Sequence, residues 1–255
     1  MPQFYQTLYV LWLNHILFIA ATVTNFTWWM LPWAFINMHL WACMSEMSIH
    51  RYFTHKSYAV TSRFKEHILK AFAFLVGQGP VLGWVTVHRQ HHRKEDTPDD
   101  PHSPHHRAWW KIYLGFLPKK YPKNLVMDYL RHQDRAYFVW ENKYYWLIWT
   151  LTWIISYVIS PYLFYTIVSG SAMWYFATNM INIYAHNGKL GQKPHTDSSA
   201  YNSSVLETIT SVGKHNNHHL QPGSYTYVVD PDTEFDWIGE VILKFGDEHK
   251  NVKQH

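Results

Sequence analysis

Residues 144–188 read YYWLIWTLTWIISYVISPYLFYTIVSGSAMWYFATNMINIYAHNG and contain no Asp, Glu, Lys or Arg. A second stretch without these four residue types runs from Met1 through Ser45. A membrane-spanning helix needs about 20 predominantly apolar residues, so each stretch is long enough for two spanning helices joined by a tight turn. The sequence therefore predicts an all-α integral membrane protein with four transmembrane helices arranged as two hairpins.

The predicted topology places every charged segment on one side of the membrane. The four spans are expected at about residues 5–24, 29–48, 145–164 and 167–187. The first hairpin turns at residues 25–27 and the second between residues 160 and 171. Because both turns are uncharged, segments 49–143 and 188–255 lie on the same face, and their Lys and Arg residues make that face cytoplasmic. We treat residues 1–255 as a single domain whose helical cytoplasmic segments carry the functional site.

The composition agrees with a membrane protein. Charged residues make up 16% of the chain, against roughly 25% in ordinary soluble domains. The formal net charge is +4, but the basic residues are interspersed with acidic ones and accompany the apolar stretches. Membrane lipids are therefore the expected partner, and nucleic acid is not. Cys43 is the only cysteine, which excludes an internal disulfide.

Two histidine triplets share one spacing. The pattern H-x-x-H-H occurs at residues 88–92 and again at residues 215–219. Positions i, i+3 and i+4 of a helix lie on one face, so each triplet can direct three imidazoles to a common point. Imidazole suits iron, zinc, copper and nickel. The chain contains 19 histidines, so one triplet alone could reflect that abundance, whereas two triplets together predict a metal site.

Further histidines add to the triplets. His50 and His55 are five residues apart, an offset of roughly 140° around an ideal helix, so they converge only if the helix bends or ends nearby. Asn182 and His186 lie one helical turn apart at the end of the fourth span. Because polar groups at membrane depth are costly and often functional, we expect His186 to be a ligand.

A third group of histidines lies in a polar run interrupted by prolines. The group consists of His102, His105 and His106. Prolines disfavour a helix there, so these side chains lack the fixed helical spacing of the triplets. We expect them to lie at the surface or to support the site rather than to bind the metal.

The triplets, the pair and His186 supply nine histidines, which are too many for one metal ion and a natural number for two. Structural zinc sites are normally four-coordinate and rich in Cys. The soluble di-iron bundles use Glu and Glu-x-x-His ligands instead. An all-imidazole dinuclear site at a membrane surface therefore indicates O₂ chemistry on a lipid-like substrate.

The histidine pattern resembles the three histidine boxes of the membrane-bound fatty acid desaturases, in the stearoyl-CoA (delta-9) desaturase branch. The resemblance covers most of the chain, including both hairpins, Asp100-Pro101-His102 after the second box and Asn182-x₃-His186 before the third. It implies two metal ions, taken to be iron, with Asn182 bound through water. The implied ligands are His50, His55, His88, His91, His92, His186, His215, His218 and His219. Val212 departs from the pattern, because the family usually has a glutamate there.

The resemblance also implies an acyl tunnel. Its residues here would be Gln78, Trp84 and Thr178, although ordinary packing is an alternative role for Gln78 and Trp84. Asn179 stands where the animal enzymes have a tryptophan. Thr86 and Val87 replace charged residues that help to bind coenzyme A in the family. Acyl groups carried by a lipid or by a carrier protein are therefore alternatives to acyl-CoA.

The implied reaction is an O₂-dependent desaturation at two Fe²⁺ ions. Two hydrogens leave adjacent methylenes of a fatty acyl chain, giving a cis double bond and water. Nothing in the chain resembles a fused cytochrome b5, so we expect an external electron donor, of ferredoxin or cytochrome b5 type with a reductase. Glu46, Asp96 and Asp100 are candidates for orienting the imidazoles.

Two alternatives stay open at this point. The same iron site could hydroxylate or ketolate a hydrocarbon or carotenoid, because both outcomes share the first hydrogen abstraction. A metal-binding membrane transporter is less consistent with the sequence, since transporters hold their ligands near the bilayer midplane and nearly all the histidines here lie outside the spans. The compact length favours a bacterial or phage-encoded enzyme, in the bacterial inner membrane or a host membrane rather than the endoplasmic reticulum.

Overall fold

The computed structural model describes residues 3–117 and 134–250, and these residues form a mostly helical protein. The expected cytoplasmic segments 49–143 and 188–255 therefore lie partly outside the described residues. The α-helices are α1 (Gln3–Thr24), α2 (Met30–Ser45), α3 (Arg63–Leu75), α4 (Val81–Arg93), α5 (Trp109–Tyr113), α6 (Arg135–Ile159), α7 (Pro161–Tyr184), α8 (Ser204–Thr210), α9 (His215–Leu220) and α10 (Trp237–Phe245). A π-helix spans Glu46–Thr54, and two short strands, β1 (Tyr58–Ala59) and β2 (Glu248–His249), complete the elements.

The four expected spans correspond to α1, α2, α6 and α7, but only part of this prediction is supported. Within the described residues, α1 is the helix whose length and apolar composition suffice to cross a membrane, with 22 residues and a mean hydropathy of 1.6. Helix α2 has 16 residues before the π-helix begins. Helices α6 and α7 are long enough, but Trp, Tyr and polar residues lower their mean hydropathy.

The turn of the second hairpin lies several residues earlier in the chain than the predicted spans placed it. We expected helices over 145–164 and 167–187, whereas α6 ends at Ile159 and α7 begins at Pro161. Ser160 between them is extended, with φ −165° and ψ 127°. The cause is Pro161, which lacks an N–H and disfavours a helical conformation in the residue before it, yet suits the first position of a helix.

Buried polar side chains join the long helices to one another. Asn14 of α1 donates to Ser171 Oγ of α7 at 2.9 Å and accepts from Trp153 Nε1 of α6 at 2.9 Å. Asn37 of α2 donates to Ser169 Oγ of α7 at 2.9 Å. Because unpaired polar groups are expensive in an apolar interior, these bonds fix how the helices face each other.

The chain between α3 and α4 makes a tight turn against α7. Helix α3 ends at Leu75, and α4 begins at Val81. Gly77 has φ +75°, and a Cβ there would lie 2.1 Å from Ser171 Oγ. Glycine is therefore required both by the backbone conformation and by the close approach of α7.

The C-terminal segment closes over the π-helix. Asp236 caps α10 by accepting from the Gly239 N–H at 2.9 Å. Tyr58 pairs with His249 in an antiparallel register, which joins β1 to β2. The segment 189–214 contains the short helix α8, whose N-cap Ser203 accepts from the Leu206 N–H.

Candidate metal centre

The structure gathers all nine predicted histidines into two adjacent groups. In each group the candidate ligand nitrogens lie within 4.8 Å of one another. The five-histidine cluster consists of His50, His55, His88, His92 and His218. The four-histidine cluster consists of His91, His186, His215 and His219. Each triplet contributes to both clusters, so the helices that carry the triplets bridge two potential metal positions.

The π-helix explains how His50 and His55 converge. The His55 N–H donates to the His50 carbonyl at 3.1 Å, an i→i+5 bond. This wider turn places residues five apart close together, where an α-helix would separate them. The two rings consequently stand 4.8 Å apart between centroids. The predicted condition, a helix that bends or ends near these residues, is met by the π-turns and by the helix end at Thr54.

Four carboxylates hold the Nδ1 atoms of four histidines. Their contacts are Glu46–His50 at 2.8 Å, Asp100–His91 at 2.8 Å, Asp96–His186 at 2.9 Å and Glu95–His219 at 3.2 Å. An Nδ1–H donated to a carboxylate leaves the Nε2 lone pair free to bind a metal. The sequence suggested Glu46, Asp96 and Asp100 for this role, and each contacts a candidate ligand.

Glu95 and Tyr227 were missed by the sequence analysis. Glu95 also accepts from the backbone N–H groups of Ser199 and Ala200, at 3.0 and 3.1 Å. The Tyr227 hydroxyl lies 2.8 Å from His50 Nδ1 and bonds to Glu46. Neither residue forms a short motif with its partners. The contacts of Glu95 with Ser199 and of Tyr227 with His50 join positions more than 100 residues apart in the chain.

A buried arginine fixes the carboxylate beside His50. Arg51 is fully buried, and its Nε donates to Glu46 at 3.1 Å while Nη1 donates to Asp236 at 2.8 Å. Its guanidinium also lies 3.7 Å from the centroid of the Tyr227 ring. This network ties the C-terminal segment to the first histidine pair, since a buried charge is stable only when it is paired.

The nitrogen arrangement suits bound cations. His88 Nε2 lies 2.8 Å from His50 Nε2, 3.1 Å from His55 Nε2 and 3.0 Å from His92 Nε2. Burial and the neighbouring imidazoles lower the pKa of His55 and of His88 well below the usual value, so both stay neutral at pH 7. Neutral imidazole nitrogens facing one another share too few protons to bridge every pair, and a metal ion between them satisfies their lone pairs.

The three histidines after the second triplet contact the four-histidine cluster or the segment beside it. His102 is buried, with its ring centroid 4.2 Å from that of His91. His105 Nε2 donates to the His186 carbonyl at 2.7 Å. His106 is exposed and donates to the Asp96 carbonyl at 3.0 Å. His102 also forms a third group of possible ligand atoms with His91 and Asp100 and lines the cavity described below, and its supporting role stays a prediction.

A cavity of about 220 Å³ reaches both clusters. Its lining includes His50, His88 and His215 together with Asn182 and Val212. The larger part of the lining is apolar and comes from α1, α4 and α7, with the segment around α5. This shape can hold a hydrocarbon chain with one section against the imidazoles.

The three predicted tunnel residues form one hydrogen-bonded set in the cavity wall. Trp84 Nε1 donates to Gln78 Oε1 at 2.9 Å, and Gln78 Nε2 donates to Thr178 Oγ1 at 2.9 Å. All three line the cavity, and so does Asn179. The bonds join α4 to α7 across the turn at residues 76–80 and fix the wall beside His50 and His88.

Comparison with known proteins agrees with this geometry. The sequence profile of the family described as fatty acid desaturase matches residues 26–230. The chain is 26% identical over 235 residues to a hex-5-enoyl-(acyl-carrier protein) acetylenase of Moorena producens, covering 78% of this chain and 71% of the relative.

Two further relatives come from a cyanobacterial and a plant source. An sn-2 palmitoyl-lipid 9-desaturase of Nostoc is 26% identical over 83% of this chain and 79% of its own length. A delta-9 desaturase-like 2 protein of Arabidopsis thaliana is 30% identical over 80% of this chain and 70% of its own length. The histidine clusters, the cavity and the profile match agree, and the chain belongs to the fatty acid desaturase family, as an oxidoreductase acting on fatty acyl chains.

Proposed function

We propose that this protein is an O₂-dependent di-iron desaturase that introduces a cis double bond, of delta-9 type, into a saturated acyl chain. The observation that carries the proposal is the apolar cavity that ends against His50, His88 and His215. Such a cavity can hold one section of a flexible chain beside the metal centre, which is what selective oxidation of an unactivated methylene requires. No observation favours a hydroxylase or a transporter.

The nine clustered histidines would hold two iron ions, and Asn182 would bind through a water molecule. With iron, O₂, two electrons and two protons supplied, two hydrogens would leave adjacent methylenes and two waters would form as the double bond appears. The chain's own part is to fix the imidazoles. Glu46, Asp96 and Asp100 hold the Nδ1–H groups, so each Nε2 keeps its direction.

The cavity wall would set the oxidised position. Gln78, Trp84 and Thr178 hold one another by hydrogen bonds, so the wall at this point is rigid. An acyl chain lying along this wall would pass His50 and His88, which line the same cavity. The buried indole of Trp174 also lines the cavity and would help to keep water from the chain.

The carrier of the acyl group is proposed to be a lipid or an acyl carrier protein rather than coenzyme A. Within residues 3–117 and 134–250, the cavity lining contains no Lys or Arg that could pair with the phosphates of coenzyme A. Thr86 and Val87 precede the second box without a charge. The relatives named above include an acyl-lipid and an acyl-carrier-protein enzyme.

The protein is proposed to span a membrane four times, as one domain with its histidine clusters on the cytoplasmic face. Large apolar side chains at the ends of the hairpins face outward, with Val23 74% exposed, Val158 78% and Ile159 68%. Exposed apolar side chains of this size are expected to contact membrane lipid. We place it in a bacterial inner membrane, with an external carrier supplying electrons.

Lipid analysis of a host that expresses the chain tests the function. We expect new unsaturated acyl chains, with the double-bond position read by mass spectrometry. His91→Ala should abolish them, because His91 Nε2 faces the four-histidine cluster. His67→Ala is the matched control, since His67 is exposed and lies outside both clusters. Hydroxylated chains in place of unsaturated ones would contradict the proposal.

A further inference from the structure

Three cationic side chains gather beside the histidine pair. This basic patch consists of Lys56, Arg89 and Lys250. Lys56 directly follows the candidate ligand His55, and Arg89 directly follows His88. The patch therefore stands within one residue of two members of the five-histidine cluster.

Hydrogen bonds bring the three residues close to one another from separate elements. The Arg89 guanidinium donates to the Thr54 carbonyl, with Nη2 at 3.0 Å and Nε at 3.3 Å. The Lys250 N–H donates to the Ser57 carbonyl at 3.0 Å. Lys56 lies between these two anchor points in the chain, so the end of the π-helix, α4 and β2 meet around it.

The backbone at Lys56 adopts a conformation that is uncommon for a residue with a side chain. Its φ is +52°, in the left-handed region. Its side chain is half-buried, and Arg89 and Lys250 lie on the neighbouring elements. Grouped like charges and local strain both oppose folding, and such features concentrate where a partner is bound.

The five-histidine cluster approaches the surface at this patch. His55 is half-buried and does not line the cavity, whereas His50 and His218 of the same cluster are buried. A centre that receives electrons from outside needs such a point of approach. Desaturation consumes two electrons that the chain itself does not hold.

We propose that the basic patch is the docking surface for an acidic one-electron carrier protein. This inference rests on the proposed function, since it names the partner that reduces the same centre. Complementary charge would orient the carrier over His55 and would speed encounter at low ionic strength. Small, polar and transient contacts are usual for redox encounters.

The patch is separate from the acyl-binding cavity. None of its three residues lines the cavity, which is bordered instead by Gln3, Gly83 and Val87 on the α1 and α4 side. An acyl carrier would have to bind at the cavity mouth, so the patch is better placed for electrons than for substrate. Glu248 is an exposed acidic residue two positions before Lys250. Removing its negative charge is expected to change the reduction rate in the opposite direction from removing the charge of Lys250.

The test measures how fast a reduced acidic ferredoxin reduces the iron-loaded protein in lipid nanodiscs, without acyl substrate. We expect the double variant Lys56→Gln, Lys250→Gln to lower the second-order rate constant about tenfold at low ionic strength, and to weaken its salt dependence. Lys56→Arg with Lys250→Arg should restore the rate, and Glu248→Gln should raise it. Lys244→Gln removes an exposed charge on α10 and should change little.

A second reductant distinguishes weaker docking of the carrier protein from damage to the metal centre. Photoreduced deazariboflavin is small and uncharged, so its rate should be the same in all variants. A parallel loss with deazariboflavin, or an unchanged ferredoxin rate in the double Gln variant, would overturn the docking proposal. Because the readout is reduction and not product, it tests the patch even if the lipid analysis shows no double bond.

Discussion

At the scale of single residues, the carboxylates beside the clusters determine which ring nitrogen of each histidine faces the metal. Asp100 shows the effect most clearly, because it is buried and accepts from the Asp96 N–H at 2.9 Å, from the His102 N–H at 3.0 Å and from His91 Nδ1 at 2.8 Å. These hydrogen bonds fix the orientation of the Asp100 carboxylate, which in turn fixes the orientation of the His91 imidazole.

Asp100→Asn should lower the affinity for metal by roughly 10- to 100-fold, because an amide can present an N–H to His91 and favour the wrong tautomer. Metal titration of the purified apoprotein measures this. Asp99→Asn, at an exposed neighbouring position, is the control and should keep full affinity. Equal affinities for both variants would show that Asp100 does not orient His91.

Tyr227→Phe should lower the free energy of unfolding by about 1–2 kcal/mol, because it removes the hydroxyl that bonds to Glu46 inside the protein. The ring can stay on the Arg51 guanidinium, 3.7 Å away, so the loss belongs to the hydroxyl. Denaturant unfolding in detergent micelles gives the value. A variant as stable as the parent protein would mean that the hydroxyl bond is of no consequence.

The six triplet histidines were predictable from their helical spacing and His186 from its place at the end of a span, whereas the five-residue spacing of His50 and His55 needed a bent helix. Glu46, Asp96 and Asp100 were suggested as supporting carboxylates without a spacing argument. Glu95 was not, since it adjoins Asp96 in a polar run and only the fold brings the 198–200 loop and His219 to it. Tyr227 was not predictable either, because it lies 177 residues from His50 in the chain. Their roles depend on tertiary structure alone.

At the scale of elements, the π-helix determines whether His50 and His55 can approach the same metal ion. The five-residue spacing showed that a regular helix would not bring His50 and His55 together. It did not show that nine residues, Glu46–Thr54, would wind as a π-helix. The tight turn before α4 has a comparable role, because it places Gln78 beside α7.

Gly77→Ala should destabilise the protein by about 1–3 kcal/mol, since φ +75° is strained for alanine and the added Cβ would meet Ser171 Oγ. Gly223→Ala is the matched control, because nothing lies within 4 Å of its added Cβ. Unfolding midpoints of the two variants in the same detergent give the comparison. Equal midpoints would contradict the required glycine conformation.

At the scale of the whole molecule, the long helices, the turn at 76–80 and the histidine clusters meet around one cavity. Charge-free stretches predicted the long helices, but among residues 3–117 and 134–250 α1 is the helix with both the length and the composition of a clear membrane span. Helix α2 is too short, with 16 residues. Helices α6 and α7 carry polar and many aromatic residues, which lower their mean hydropathy. The cavity itself was not predictable from composition, and only the family resemblance pointed to its wall.

Thr178→Val should broaden the position of the new double bond. It removes the hydroxyl that accepts from Gln78 Nε2 at 2.9 Å while keeping the volume of the side chain. The wall would then hold the acyl chain less firmly beside His50 and His88. Mass spectrometry of products from the expressing host gives the positional distribution. An unchanged distribution would show that the hydrogen bonds among Gln78, Trp84 and Thr178 do not determine which carbons of the acyl chain are oxidised.

The most direct test of the central claim is the metal content of the purified protein, measured by inductively coupled plasma mass spectrometry with the protein concentration from amino-acid analysis. The two clusters predict two iron ions per chain after loading with Fe²⁺ without oxygen. His186→Ala, at the four-histidine cluster, should leave about one iron, because imidazole ligands of a single ion act together. A parent protein that binds one iron or none would contradict a dinuclear centre built from these nine histidines.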